Sequence, residues 1–227
     1  MHVGIFGDSW GCGEWGGRHT SNYGIRHRGL AQYLIESRIK CRQFSVPDGS
    51  NYLAIERYEE NYKTLDYAIF ILTEPFRDFL HGRKYNPKKG FLENCKIAEI
   101  VILDQLTHIQ KNKTKVILVN GLFELEKQSY FEDHISFCKL VSDQKIWPKY
   151  YADPGHVNDL FLKKKQIKID KHSVVFDLDQ DEKNQKMFLD LMNNDKKRFF
   201  PDGRHPNRTA HKILAEKIIR IININGH

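Results

Sequence analysis

The order of short apolar runs and helical segments along the first half of the chain does most to limit its fold. Residues 2–6, 41–46, 67–72 and 116–119 have the length and composition of strands, and the last two runs are apolar throughout, as strands covered on both faces are. Between them lie segments with helical spacing: 22–38, with Tyr23, Leu30, Ala31, Leu34 and Ile35 on one stripe, then 52–64, then 91–110. Asp48-Gly49-Ser50-Asn51 is turn chemistry closing the second strand. Strand and helix in alternation predict an open parallel sheet with helices on both faces, a three-layer α/β/α sandwich of about five strands. From 121 to 170 the pattern loosens into an irregular insertion, so the fifth strand falls either at 172–176 or inside that insertion. Helices are expected at 182–192 and at 207–222, the latter with Ala210, Ile213, Leu214, Ile218 and Ile221 on its apolar side. With no repeat, low-complexity tract or linker, the 227 residues are expected to form one domain.

Two motifs frame this pattern. Gly7-Asp8-Ser9-Trp10 follows the first strand, and Asp202-Gly203-Arg204-His205-Pro206 precedes the last helix. Together they hold a hydroxyl, an imidazole and a carboxylate. A serine hydroxyl attacks at neutral pH only when a base takes its proton, and that base needs a third group to fix its tautomer. One loop carrying Asp202 and His205 can meet Nδ1 with the carboxylate and leave Nε2 for Ser9. In open parallel sheets sites form beyond the carboxyl ends of the strands. The segments after strands one, two and three (Ser9, Gly49, and 73–77) converge there, within reach of the His205 loop. Taken singly, each motif also fits an ordinary turn: Asp and Ser cap helices, Asp-Gly makes turns, and Asn207 suits the cap of the last helix. Beside the triad residues, Asp8 is expected to brace its loop rather than to catalyse, and His211 on the final helix is expected to be structural.

These motifs resemble those of the SGNH hydrolases, the GDSL esterase/lipase superfamily, which carries Gly-Asp-Ser after strand one and Asp-x-x-His-Pro near the C-terminus. The likeness covers about residues 1–72 and 200–219. It implies a flavodoxin-like strand order, Ser9 as nucleophile, His205 as base and Asp202 as the acid that orients it. It also implies an oxyanion hole from the backbone N–H groups of Ser9 and Gly49. The family's third donor is an asparagine in Gly-x-Asn-Asp after strand three, and here the chain departs, reading Thr73-Glu74-Pro75-Phe76-Arg77-Asp78. Thr73, Arg77 and Asn120 are the candidates to replace it, with Arg77 expected to face the pocket or, alternatively, to pair at the surface with Glu74 or Asp78. The implied activity is hydrolysis of a small acyl ester, such as acetyl on a carbohydrate or other polar substrate, through an acyl-Ser9 intermediate and without a cofactor. The missing asparagine keeps open an SGNH-fold binding or structural module with weakened chemistry. A compact chain with this opening also resembles SGNH proteins carried by bacterial viruses, which assigns no substrate.

A further motif overlaps the first. Gly11-Cys12-Gly13-Glu14-Trp15-Gly16 fits the Gly-x-Gly-x-x-Gly dinucleotide fingerprint, with Asp48 where a ribose-binding acid belongs. That reading, a nucleotide-binding oxidoreductase, needs the glycines to open a helix directly off the strand, and Gly7-Asp8-Ser9-Trp10 stands between. The net charge of +7 sits largely in Lys163–Lys165, Lys168, Lys171 and 196–198. These flank apolar residues as solvated faces do and accompany no nucleic-acid motif, so the charge argues for attraction of anionic substrates rather than for nucleic acid. Cys12, Cys41, Cys95 and Cys138 are scattered without zinc spacing, so free thiols and no metal site are expected. No apolar run spans a membrane and no leader pattern opens the chain, which sets a cytoplasmic location as the expectation.

Overall fold

A computed structural model describes residues 1–16, 24–86, 88–111, 113–121, 131, 134–141 and 205–224. In chain order these form β1 (His2–Gly7), α1 (Ser9–Cys12), β2 (Glu14–Gly16), β3 (Gly24–His27), α2 (Gly29–Glu36), β4 (Lys40–Gln43) and α3 (Asn51–Asn61). There follow β5 (Tyr67–Leu72), a 3₁₀ helix at Pro75–Phe79, α4 (Phe91–Gln110), β6 (Lys115–Asn120), β7 (His134–Ser136), α5 (Phe137–Val141) and α6 (Arg208–Ile224). Five strands make one parallel sheet in the order β4-β1-β5-β6-β7. Counted along the sheet's own strands this is 2-1-3-4-5, the flavodoxin-like order.

Each strand divides its side chains between two cores, as the period of two requires. Val3, Ile5, Ile69, Ile71, Ile117 and Val119 pack with Leu30, Ala31 and Leu34 of α2 and with Ala210, Leu214 and Ile218 of α6. On the opposite face Phe6, Ala68, Phe70, Val116 and Leu118 meet Ala54, Ile55 and Tyr58 of α3 and Ile102, Leu106 and Ile109 of α4. Full burial of each large aliphatic side chain contributes about 1.5–3 kcal/mol. These two layers fix the carboxyl edge from which the functional loops emerge.

The structure departs from sequence expectation in two places and decides a third that was open. Residues 24–27 are not the start of a helix but strand β3, paired antiparallel with β2. His27 Nδ1 accepts the Gly29 N–H at 3.0 Å, a local bond that competes with helix and delays α2 to Gly29. The second strand runs at Lys40–Gln43 rather than 41–46, although Phe44 N and Val46 N still donate to Ile5 O and Gly7 O of β1 at 2.8 and 3.0 Å. The fifth strand is β7, inside the expected insertion. The alternative at 172–176, the helix at 182–192 and the lysine runs between 163 and 198 lie outside the described residues. Ser50 Oγ caps α3 at Leu53 N (3.1 Å), with Asp48 in the left-handed region (φ 59°), so the turn at 48–51 does stand between β4 and α3. No helix among the described residues is long and apolar enough to cross a membrane.

His211, on α6, is fully buried, its ring 5.6 Å from that of Phe137 and packed on Gly29. Burial pushes its pKa down to about 4. The unfolded ring takes its proton near 6.5, so the stability His211 contributes is complete above that pH. It is lost as pH falls toward 4, by up to ~1.4 kcal/mol per pH unit. Asp78 acts in the opposite sense: burial raises it to about 6, so its contribution is lost as pH rises through that value. In chemical denaturation at pH 6.5 and 4.5, His211→Gln is expected to lose less stability on acidification than the wild type. An equal loss in both proteins removes His211 from this role.

Candidate active site

The turn after β1 has little steric freedom. A Cβ on Gly7 would lie 2.6 Å from the Ile71 carbonyl oxygen of the neighbouring strand, so only glycine lets β1 end flush against β5. Asp8 then caps α1, its Oδ1 accepting the Trp10 N–H at 2.9 Å, as short N-caps do. Trp10 drops into the core edge-on to Phe137 and holds α1 down. Ser9, the first residue of α1, is left at the carboxyl edge. Its Oγ lies 3.0 Å from His205 Nε2, a contact that joins residues from the two ends of the chain. Asp202 lies outside the described residues.

The loops after β4 and β5 close on this turn. Val46 N donates to Gly7 O (3.0 Å), and a Cβ on Gly49 would sit 3.1 Å from the same oxygen. Asn51 pins the β5 loop with two bonds, its Oδ1 accepting Thr73 N at 2.9 Å and its Nδ2 donating to Thr73 O at 2.8 Å. The expected convergence of four segments is therefore present in the fold. Their donors are arranged differently from expectation. The Gly49 N–H donates to Val46 O at 2.9 Å. The Thr73 hydroxyl, fully buried, donates to Glu74 Oε2.

Arg77 is neither open to a pocket nor a surface residue. It is buried among carboxylates: Nη1 donates to Asp8 Oδ2 at 3.2 Å, Nε lies 2.8 Å from Glu74 Oε2 as an ion pair, and Asp48 Oδ1 stands 3.9 Å from Nη1. Asp78, its other expected partner, instead takes Arg83 Nε at 3.1 Å and Tyr52 N at 3.0 Å. Burial pushes the Glu74 carboxyl up against the pull of Arg77 and the Thr73 hydroxyl. Buried carboxylates engage both Nη1 and Nε of the guanidinium, which makes Arg77 a brace between the turn after β1 and the loop after β5. Asn120 ends β6 on the face of Val116 and Leu118. It is buried, and neither amide atom has a partner among the described residues.

Sequence reasoning missed Trp15. Its indole stacks on His205, ring centroids 5.1 Å apart and planes 28° from parallel, and its Nε1–H donates to Ser9 O at 3.0 Å. The only signal was its place in the glycine run, which belongs to a hairpin rather than a dinucleotide turn. Gly13, at φ 127°, ends α1, and the chain enters β2 where the fingerprint demands a helix. Cys12 is no competitor for the nucleophile. Burial, then the charge of Asp8, pushes its thiol up to about 12, far from a reactive thiolate. Among the described residues no group of His, Cys, Asp and Glu could hold a metal ion.

In this chain β1 leads to Gly-Asp-Ser, the sheet has a 2-1-3-4-5 order, and an imidazole from the C-terminal motif lies on the serine. The pattern resembles that of the SGNH hydrolases. No family model matches the chain, and no curated protein matches it. Solved structures do. A lipase/acylhydrolase from Enterococcus faecalis overlaps 99% of this chain and 96% of its own at TM-score 0.47 and 13% identity. An esterase, EstA, from Pseudoalteromonas sp. covers 98% and 96% at 0.45 and 11%. An acetylxylan esterase from Geobacillus stearothermophilus covers 96% and 92% at 0.42 and 17%. These likenesses are too distant to assign a substrate or a residue's role, and the functional reading rests on the site itself.

Removing Arg77 separates brace from surface residue. Arg77→Met strands Asp8 and Glu74 in the interior, and breaking a buried ion pair typically costs about 3–5 kcal/mol. Glu74 can take up a proton and Asp8 keeps the Trp10 N–H, which places the expected loss near the low end. The deficit should shrink as pH falls from 7 to 5 and the stranded Glu74, already pushed up by burial, takes a proton. Denaturant titration of both proteins at the two pH values checks this; a loss below about 0.5 kcal/mol, the scale of ordinary surface substitutions, excludes the brace.

Proposed function

We propose that the chain is a serine hydrolase acting on ester bonds through an acyl-Ser9 intermediate. The observation that carries this reading is the 3.0 Å contact between Ser9 Oγ and His205 Nε2, within the reach expected of a nucleophile and its base. Ser9 Oγ attacks the ester carbonyl while neutral His205 takes its proton at Nε2. The resulting imidazolium gives that proton to the leaving alcohol, and Ser9 is left acylated. Water then repeats the sequence, its proton passing to His205, and the acid product departs as Ser9 recovers its hydrogen. Asp202, three residues before His205 in the sequence, is assigned to accept the Nδ1–H and stabilise the imidazolium.

For the oxyanion we assign the Ser9 N–H, since Asp8 caps Trp10 N and not Ser9 N. The Gly49 N–H joins it by sharing the bond now given to Val46 O. Of the three candidates for a further donor, Asn120 is favoured, because Thr73 and Arg77 already donate to buried carboxylates. The substrate we favour is a small acyl group, such as acetyl, on a carbohydrate or other polar alcohol, and the charge of +7 favours one bearing negative groups.

A panel of chromogenic acyl esters tests the proposal, with Ser9→Ala as control. Turnover of short-chain esters that disappears in Ser9→Ala is expected. Asp202→Asn should retain the fold and lose several orders of magnitude in kcat, roughly 10⁴-fold where the carboxylate sets the tautomer. Turnover that survives in Ser9→Ala refutes the nucleophile, and a silent wild type favours the binding-module alternative.

A further inference from the structure

The β2–β3 hairpin does more than connect α1 to α2. Trp15 touches both halves of the nucleophile–base pair: its ring lies against the imidazole of His205, and its Nε1–H holds the carbonyl of Ser9. The hairpin is in turn fastened to the start of α6. Glu14 Oε2 accepts the Arg208 backbone N–H at 2.7 Å and its Nε at 2.8 Å, while Oε1 accepts Nη2 at 3.1 Å. The bonds from Arg208 hold the Glu14 carboxyl below its ordinary value. The backbone bond satisfies one of the orphan donors at the first turn of α6, three residues after His205. Glu14 therefore anchors the start of the helix that follows His205, and Trp15, the next residue, lies against the imidazole and sets its plane.

We infer that Trp15 is a positioning residue for the Ser9–His205 pair, with Glu14 and Arg208 as the clamp that holds the hairpin in register with α6. The inference rests on the proposed serine-hydrolase reading and adds a residue to it. An imidazole held at its edges by the Ser9 hydroxyl and the assigned Asp202 carboxylate can still tilt about the line through those two contacts. A ring stacked on one face removes that freedom. The indole N–H ties the same side chain to the backbone of Ser9, so the ring of Trp15 fixes His205 relative to the nucleophile. The indole face also favours the imidazolium that forms as Ser9 attacks, since aromatic faces attract cations. Both effects act in the transition state more than on bound substrate, so they belong in kcat rather than KM.

Steady-state kinetics of Trp15→Leu and Trp15→Phe, on the ester that the wild type turns over best, tests this, with thermal melting of each variant as the control for folding. Leucine removes both the stack and the donor, and kcat is expected to fall about 100-fold, the scale of a misplaced catalytic group, with KM within about twofold of wild type. Phenylalanine restores the stack and is expected to recover kcat to within about tenfold of wild type. Glu14→Ala, which leaves the indole in place, should lower kcat in the same sense. Wild-type kcat in Trp15→Leu, a raised KM alone, or a phenylalanine variant no better than leucine each overturns the positioning role. Failure of the hydrolase reading looks different: there the wild type turns over no ester, or Ser9→Ala is as active as wild type.

Discussion

The arrangement of this site depends on the Asp8 carboxylate being held from both sides. One oxygen accepts the Trp10 N–H and starts α1; the other accepts Arg77 from the loop after β5. A fully buried carboxylate is costly unless paired and hydrogen-bonded, and here the pairing joins two strand ends at the point where Ser9 must stand. Glu74 makes the arrangement tighter and more costly, since it shares the same guanidinium while burial drives its own carboxyl toward the neutral form. Asn51 completes the frame by holding both the N–H and the C=O of Thr73. These residues place Ser9 without touching its hydroxyl.

The other half of the pair arrives from far along the chain. His205 stands just before α6, and α6 is seated by Ala210, Leu214 and Ile218 against the same core as α2 and the inner residues of β1. Sheet packing thus sets the coarse position of the imidazole, and the hairpin clamp and the indole stack set its orientation. The two ends of the sequence are brought to a 3.0 Å contact by a core to which, among the described residues, the two motifs contribute Trp10.

Much of this was legible in the sequence, for reasons that differ by element. The continuous apolar runs of β5 and β6 have few alternatives to buried parallel strands, and α4 spans Phe91–Gln110 as the helical spacing predicts. Gly-Asp-Ser and His-Pro are each compatible with an ordinary turn, and it was their joint occurrence at the two ends of an α/β pattern that marked their positions. The hairpin was not legible, because β2 and β3 are three and four residues long and hold glycines that no periodicity distinguishes from loop. Trp15 was invisible for the same reason: its partners are 6 residues back and 190 residues ahead, and nothing local selects them. Arg77 was read in the right loop and its expected pairing with Glu74 is present, but it is buried rather than at the surface. A sequence shows its charge and its neighbours Glu74 and Asp78, whereas its pairing with Asp8 is a consequence of β1 lying beside β5.

The central claim is that Ser9 is a nucleophile activated by His205. The most direct test is covalent capture: an alkyl fluorophosphonate incubated with the intact protein, followed by peptide mapping by mass spectrometry. The account predicts a single phosphonyl adduct on Ser9, formed rapidly in the wild type and slowed by orders of magnitude in His205→Ala. An unlabelled Ser9, or labelling at the same rate without the imidazole, would contradict it.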